Sequence, residues 1–178
     1  MIALARHGET PYNAQRRFQG HLPVPLTERG REQAHELARV AAEREWSALW
    51  CSPLARARET ADIVAAAVGL EPVADARFAE TDTGDWTGRS FAEVQAEDPD
   101  GFRRFQVSDP DFRYPGGESF AEQSDRVQDG LRALRARPGA QPALVVCHRG
   151  VIRLALAVAT GDHTAGGREI GNATLVTL

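Results

Sequence analysis

Lysine is absent from this chain of 178 residues, and all 21 of its basic side chains are arginine. A genome biased toward GC-rich codons would produce the same absence, but the chemical consequence holds either way. Without lysine the chain has neither a phosphate-binding loop that ends in lysine nor a Schiff base. Any phosphate group that it binds must be held by arginine, histidine or backbone N–H groups.

Several other features are scarce. The two cysteines, Cys51 and Cys147, lack the spacing of a metal site, and the net charge of −4 gives no basic surface for nucleic acid. No apolar run approaches the roughly 18 residues of a membrane helix. The first six residues show no signal-peptide stretch. We therefore expect a cytoplasmic protein with free thiols, no metal or other cofactor, and no nucleic-acid or membrane partner.

Apolar residues make up 42% of the chain and charged residues 26%, which is typical of a globular protein. The length suits one domain, so we predict a single domain over residues 1–178. An irregular excursion near residues 89–117 interrupts the regular pattern, because Asp, Pro, Gly and Arg are frequent there.

Short apolar runs alternate with helical patterns along the chain. Strands are predicted at 2–5, 48–51, 72–74, 143–147 and 174–178. Helices are predicted at about 27–44, 52–68, from 90, 119–137 and 151–160. Ser52 and Pro53 are expected to open the second helix as N-cap and first helical residue. Residues 8–25 and 78–88 are expected to be loops. This alternation predicts an α/β fold whose mostly parallel sheet is covered on both faces.

Two histidines and two arginines follow predicted strands. Arg6 and His7 end the first strand, Arg56 lies in the first turn of the helix after the second, and His148 follows the fourth. Ligands of open α/β sheets bind at the carboxyl ends of the strands, so these side chains are expected to converge.

This set of side chains suits attack on phosphorus. Guanidinium groups match phosphate oxygens, and nearby positive charges lower the pKa of an imidazole, leaving it neutral and nucleophilic. A second histidine can stabilise transition-state charge. The reaction also needs a proton donor, and a bound phosphate dianion favours the protonated form of a neighbouring carboxyl group. Glu80, Asp82 and Asp85 are candidates, and these considerations do not choose among them.

Seven motifs, in order along nearly the whole chain, resemble those of the histidine phosphatase superfamily, in its phosphoglycerate mutase-like branch. They are R-H-G-E-T-x-x-N at 6–13, F-Q-G at 18–20, P-L-T-x-x-G at 25–30, S-P-L-x-R-A-x-E-T-A at 52–61, E-x-x-x-G-x-W-x-G at 80–88, P-G-G-E-S at 115–119 and H-x-G-V-I-R at 148–153. The resemblance implies a three-layer α/β/α sandwich with a mixed, mostly parallel sheet, in which the excursion covers the active site.

The resemblance also implies roles for single residues. His7 is the residue phosphorylated, and Glu80 is the proton donor. The rest of the catalytic set and the phosphate-pocket contacts are Arg6, Arg56, His148, Asn13, Thr10, Gln19 and Gly20.

Three further positions concern the entrance. His21 is a candidate substrate contact, although a solvated loop histidine is the alternative. Pro23 stands where the family commonly has Asp. Arg149 replaces a usual glycine, so it is a candidate substrate contact that adds a cation at the mouth, and the turn is expected to adjust because arginine disfavours positive φ. No role is assigned to His163 or Arg168.

We therefore expect a histidine acid-type phosphatase that hydrolyses a small-molecule phosphate ester through a phosphohistidine. A cofactor-dependent phosphoglycerate mutase is the main alternative, and it is disfavoured because the excursion is short and the chain ends on its last predicted strand. An inactive binding module of the same fold is the other alternative. A homodimer is left open.

Overall fold

The computed structural model describes residues 1–161 and 170–178, so His163 and Arg168 lie outside the described residues. It contains a five-stranded sheet with the order β3-β2-β4-β1-β5. The strands are β1 (Ile2–Arg6), β2 (Ala48–Cys51), β3 (Pro72–Ala74), β4 (Ala143–Cys147) and β5 (Leu175–Thr177). All five lie where the sequence places them, within one residue at each end.

The sheet is parallel except at one edge. β1 pairs with β4, β4 with β2 and β2 with β3 in parallel, whereas β5 runs antiparallel to β1. The predicted mixed, mostly parallel sheet is therefore confirmed. Every residue of β4 is buried, as expected for a central strand covered on both faces.

Helices pack on both sides of this sheet. The helices of the described chain are α1 (Pro11–Ala14), α2 (Glu28–Ala42), α3 (Ala55–Val68), α4 (Phe91–Glu97), α5 (Pro99–Gln106), α6 (Phe120–Ala136) and α7 (Arg149–Thr160). α2 and α3 bury apolar side chains against one face of the sheet, and α6 and α7 against the other. The three-layer α/β/α sandwich is thus confirmed.

Three local predictions were wrong. Ser52 does not cap a helix: α3 begins at Ala55 with Leu54 at the N-cap, and the Ser52 hydroxyl bonds elsewhere. Residues 11–14, expected as loop, form α1, because Thr10 and Asn13 make a reciprocal capping box with Pro11 at the first position. Residues 99–106, expected as irregular, form α5, which Asp98 caps.

The excursion has a small aromatic core of its own. Its members, together with the neighbours they contact, are Phe18, Trp86, Phe91, Val94, Phe102, Phe105, Phe112, Tyr114 and Phe120. Phe18 and Trp86 contact each other with ring centroids 5.1 Å apart, at the centre of this cluster. Tilted and edge-to-face contacts of this kind stabilise the packing beyond simple burial. The cluster holds α4 and α5 against the loop that contains Glu80.

Two glycines let α2 approach the loop after β1. A Cβ on Gly8 would lie 2.1 Å from the Gly30 carbonyl oxygen, and a Cβ on Gly30 would lie 2.1 Å from the Glu9 carbonyl oxygen. The Thr27 N–H, at the start of α2, donates to that same Glu9 oxygen at 2.9 Å. Backbone contact therefore fixes the segment that follows His7.

Replacing Gly30 with alanine tests this contact. Helix propensity alone would stabilise the protein by about 1 kcal/mol. Because the methyl group collides with backbone, we expect instead a loss of about 1 to 3 kcal/mol in the free energy of unfolding, measured by urea denaturation. Gly69→Ala is the control, since its Cβ meets no atom within 4 Å and only its positive φ opposes the change. An increase in stability for Gly30→Ala would contradict the contact.

Candidate active site

Strand pairing brings the two histidines together. Arg6 lies opposite Cys147 in the β1–β4 register, and the His7 N–H donates to the Cys147 carbonyl at 3.0 Å. His7 and His148 are therefore adjacent, with ring centroids 5.2 Å apart. Both side chains are buried, with 2% and 0% of their surface exposed.

The ring of His7 is held in one tautomer. Its Nδ1 lies 2.7 Å from the Gly8 carbonyl oxygen, which can only accept a hydrogen bond. Nδ1 therefore carries the proton in the neutral ring, and Nε2 keeps its lone pair. Burial, and then the charges of Arg56 and Arg6, hold the pKa of His7 well below its ordinary value. The geometry and charge thus favour a neutral, nucleophilic imidazole.

His148 is oriented from β2. The Ser52 hydroxyl oxygen lies 2.7 Å from Nε2 of His148 and accepts a hydrogen bond from the Leu54 N–H at 3.2 Å. The hydroxyl proton can point at Nε2, and in that tautomer Nδ1 of His148 is the N–H donor. This Nδ1 is buried and has no partner among the described residues, so it can donate to a bound oxyanion.

Two arginines border the histidines. Arg56 is 1% exposed, and its guanidinium donates to the carbonyl oxygens of Gly20, at 2.9 Å, and Leu22, at 3.3 Å. Arg6 donates to the Ile170 carbonyl at 2.6 Å. Burial lowers the pKa of each to about 10, and both stay charged at neutral pH. The Nε atoms of both are buried without a partner in the described structure, which leaves donors for phosphate oxygens.

A polar network lines the opposite wall. The Thr10 hydroxyl lies 2.8 Å from Oε1 of Gln19 and 3.1 Å from Oδ1 of Asn13. Asn172 donates from Nδ2 to Asn13 Oδ1 at 3.2 Å and to the His7 carbonyl at 3.1 Å. These contacts use the oxygens of the Asn13 and Gln19 amides, so their NH₂ groups remain as donors in the cavity.

Glu80 is the carboxylate that lines the cavity in the described part of the chain. Its Oε1 accepts from the Thr81 N–H at 2.9 Å and from Nε2 of Gln123 at 3.2 Å. Its Oε2 accepts from the Gly150 N–H at 3.3 Å. A Cβ at Gly150 would lie 2.4 Å from Oε1, so a larger residue there would displace the carboxylate. Helices α6 and α7 together fix its position.

The other two candidate acids lie elsewhere. Asp82 and Asp85 are exposed and do not line the cavity. Asp82 accepts a hydrogen bond from the Gly84 N–H at 3.0 Å, within its own turn. Their position therefore agrees with the implied assignment of the acid to Glu80.

The cavity collects most of the residues named from the sequence. His7, Arg6, Arg56, Asn13, Gln19, Gly20, Glu80 and Arg149 line it directly. Thr10 and His148 are fully buried beside these residues: Thr10 contacts Asn13 and Gln19, and the ring of His148 contacts that of His7. His21 does not line the cavity: it is exposed, and its Nε2 lies 2.7 Å from the Glu80 carbonyl oxygen.

The expected adjustment at Arg149 does not occur. Arg149 is the first residue of α7 and is absent from the positive-φ positions of the described chain. It therefore needs no special turn, and its side chain lies at the cavity wall.

Several residues to which the sequence analysis gave no role in the site also build it. They are Ser52, Thr60, Gln123, Arg153 and Asn172. The Thr60 hydroxyl accepts from the Gly8 N–H at 3.1 Å. Gln123 had a readable signal, because it is a polar residue on the apolar stripe of its helix and is fully buried. Asn172 had none, since only the tertiary fold brings it to His7.

Two features are absent from the described residues. No group of three or more His, Cys, Asp or Glu side chains is placed to hold a metal ion in residues 1–161 and 170–178. Over the same ranges, no helix has the length and apolar character needed to span a bilayer.

The three-layer fold and the buried histidine pair between arginines are the features that the sequence resemblance implies. The family model of the histidine phosphatase superfamily, branch 1, matches residues 2–178. The chain belongs to this superfamily.

Individual relatives agree with that assignment. A phosphoglycerate mutase-like protein of Arabidopsis thaliana is 39% identical over 155 residues, which cover 85% of this chain and 67% of the relative. A mycobacterial glucosyl-3-phosphoglycerate phosphatase superposes with a TM-score of 0.87 at 31% identity, covering 98% of this chain and 90% of its own. The alpha-ribazole phosphatase of Shigella flexneri gives 0.84 at 30% identity, covering 98% and 87%.

The buried histidines predict how stability depends on pH. Their pKa values in the folded protein lie well below the ordinary 6.5. Below that pH the unfolded chain takes up protons that the folded chain does not. Stability is therefore complete above pH 6.5 and falls as the pH drops, by up to about 1.4 kcal/mol per pH unit for each histidine.

Urea denaturation between pH 7 and pH 5 measures this slope. His148→Gln removes one of the two groups, so its stability should fall less steeply with decreasing pH than that of the wild type. His35→Gln, on the exposed side of α2, is the surface control and should keep the wild-type slope. An unchanged slope in His148→Gln would show that burial does not hold this ring neutral.

Proposed function

We propose that this protein is a histidine acid-type phosphatase that hydrolyses a small-molecule phosphate monoester through a phosphohistidine on His7. The observation that carries the proposal is the His7 ring: Nδ1 is bound to the Gly8 carbonyl, and the ring lines a cavity with two arginines and a carboxyl group. Membership of the superfamily and the phosphatases among the solved relatives support it.

The first step follows from these positions. Arg6, Arg56 and the Nδ1 N–H of His148 hold the phosphoryl oxygens and stabilise the charge that spreads over them. Nε2 of His7 attacks phosphorus as the bond to the alcohol oxygen breaks. Glu80, in its acid form, gives its proton to the departing oxygen. The products of this step are the free alcohol and the phosphorylated His7.

The second step reuses the same groups. Glu80, now ionised, takes a proton from a water molecule that attacks the phosphohistidine. Inorganic phosphate leaves, and the His7 imidazole and the acid form of Glu80 are restored. A mutase would transfer the phosphoryl group to a sugar-acid hydroxyl instead, and the mutase-like name of the Arabidopsis relative keeps that reaction as the second candidate.

His7→Ala tests the nucleophile. We expect wild-type protein mixed with ³²P-labelled ester to acquire an acid-labile phosphoryl group, and the variant to acquire none and to lose turnover. Label on the variant would contradict the assignment.

With 3-phosphoglycerate and catalytic 2,3-bisphosphoglycerate, we expect inorganic phosphate to be released. Conversion to 2-phosphoglycerate without phosphate release would identify a mutase.

Glu80→Gln tests the acid, because glutamine keeps the shape but cannot give up a proton. For glycerol 3-phosphate, whose alcohol must be protonated, we expect the rate of enzyme phosphorylation to fall by about 10² to 10⁴. For p-nitrophenyl phosphate, whose phenolate leaves unaided, the fall should be at least tenfold smaller. Rapid-mixing measurements of the first turnover give both rates.

Asp82→Asn is the matched control for Glu80→Gln, since Asp82 is exposed outside the cavity. It should behave as the wild type with both esters. An equal loss with both esters in Glu80→Gln, or the larger loss in Asp82→Asn, would refute Glu80 as the proton donor.

We also propose a cytoplasmic location. Support comes from Cys51 and Cys147, which are both buried and free of disulfides, as is usual in a reducing compartment.

A further inference from the structure

The cavity carries more positive charge than a phosphate group requires. Its lining contains five arginines, Arg6, Arg17, Arg56, Arg149 and Arg153, against the single carboxylate of Glu80 among the described residues. A bound phosphate dianion would offset two of these charges. Arg6 and Arg56 flank the histidines and balance those two charges, which leaves Arg17, Arg149 and Arg153 without a charge partner. Arg17 is already held by the Gly88 carbonyl and the Tyr12 ring.

Arg149 and Arg153 lie one turn apart on α7, four residues from each other. Neither forms a salt bridge in the described structure, where every ion pair involves other arginines. The contrast with the excursion is clear, because Arg103, Arg104 and Arg113 are all paired with carboxylates. Those three are therefore occupied, and the pair on α7 is available.

The Arg153 guanidinium group is buried, fixed in position and left with a free donor, as is typical of an anion-binding residue. It is 8% exposed, and its Nε is buried with no partner among the described residues. Its guanidinium carbon lies 5.8 Å from the centroid of the Phe120 ring, which fixes the group by a cation–π contact. Burial and the charge of Arg149 lower the pKa of Arg153. An anion at this position would offset both the cost of burying the Arg153 charge and its repulsion by Arg149.

Helix α7 gains no electrostatic stabilisation from these two charges. Like charges four residues apart weaken a helix, and cations near a helix N-terminus oppose its dipole. Their presence in the first two turns of α7 therefore indicates a ligand.

The position of α7 shows which part of the substrate would meet them. The Gly150 N–H, next to Arg149, donates to Oε2 of Glu80 at 3.3 Å. Glu80 is the proposed donor to the leaving oxygen, so α7 borders the leaving group and not the phosphoryl oxygens alone. Tyr114, 3% exposed, lines the same side, and burial and the charge of Glu80 raise its pKa, so its hydroxyl stays a donor.

We propose that Arg149 and Arg153 form a second anion-binding subsite, which receives a carboxylate or phosphate carried by the leaving alcohol. This proposal rests on the proposed function and narrows it to esters whose alcohol is itself an anion. Such a contact acts on the choice of substrate, since the transferred phosphoryl group is common to all esters.

The test is the ratio of kcat/KM for 3-phosphoglycerate to that for glycerol 3-phosphate, which differ in the carboxylate of the leaving alcohol. We expect a wild-type ratio above one and a fall of about tenfold or more in Arg149→Gln and in Arg153→Gln, since each loses a charge-assisted hydrogen bond. Arg132→Gln, an exposed arginine of α6, should keep the ratio. A second pair, propane-1,3-diol bisphosphate and its monophosphate, shows whether phosphate replaces the carboxylate as the preferred anion.

A wild-type ratio near one for both pairs, or an equal loss on charged and neutral esters in the variants, would overturn the subsite. Arg153→Lys guards against misfolding, because it keeps the charge and should retain part of the ratio if Arg153→Gln is unstable.

Binding separates the subsite from the reaction. Calorimetry of His7→Ala with the same esters should show tighter binding of 3-phosphoglycerate, and that preference should weaken when Arg149→Gln is added. If the protein binds 3-phosphoglycerate more tightly than glycerol 3-phosphate but the wild type hydrolyses neither, the phosphatase activity is refuted and the subsite stands. If the wild type hydrolyses neutral esters but binds both esters equally, the subsite is refuted and the phosphatase activity stands.

Discussion

The hydrogen bond from the His7 N–H to the Cys147 carbonyl, at 3.0 Å, extends the β1–β4 ladder past the end of β1. Because the two strands are parallel and adjacent, the residues that follow them emerge side by side, and the histidine rings meet. Ser52 joins in the same way, since its N–H donates to the Val146 carbonyl at 2.9 Å and its hydroxyl then reaches His148. The order and pairing of the strands therefore bring His7, Ser52 and His148 together, before any contact between their side chains is considered.

Charge is the second constraint. Arg56 and Arg153 are buried without a carboxylate partner in the described structure, and a buried charge without a counter-charge is costly. Burial, together with the charges of Arg56 and Arg6, holds the pKa of His7 low, so the arginines beside the ring favour its neutral form and also attract an anion. An anion bound among them stabilises the folded state by mass action. The positive charge of the cavity thus has two effects: it favours the neutral form of His7, and it favours an anionic ligand.

Much of the architecture was readable from residues. The strand Ala143–Cys147 is a continuous apolar run, and a central parallel strand has no exposed face to interrupt that pattern. Ser119 and Glu122 formed the capping box that their spacing predicts. Ser52 misled the prediction, because a serine before proline is typical of a helix start and its hydroxyl instead orients His148. Such a role depends on a residue 96 positions away and has no local signature.

The site was readable in part for the same reason. Residues directly after strands, such as His7 and His148, are placed by the sheet, and sheet order can be anticipated. Gln123 and Asn172 act through contacts that depend on how a helix and a loop pack. The sequence marks Gln123 as a polar residue on an apolar stripe without naming its partner, and it gives no signal for Asn172. Glu80 is intermediate: resemblance implied its role, and its location in the cavity, with Asp82 and Asp85 outside, agrees with that role.

Asn172 links the two ends of the described chain. Its amide donates to the carbonyl of His7, and the Ala173 N–H donates to the same oxygen at 3.2 Å. His7 and Asn172 are 165 positions apart in the sequence. The pairing of antiparallel β5 with β1 holds the segment 172–173 against the His7 carbonyl. Losing that edge strand would therefore leave the backbone beside the His7 imidazole without two of its hydrogen-bond donors.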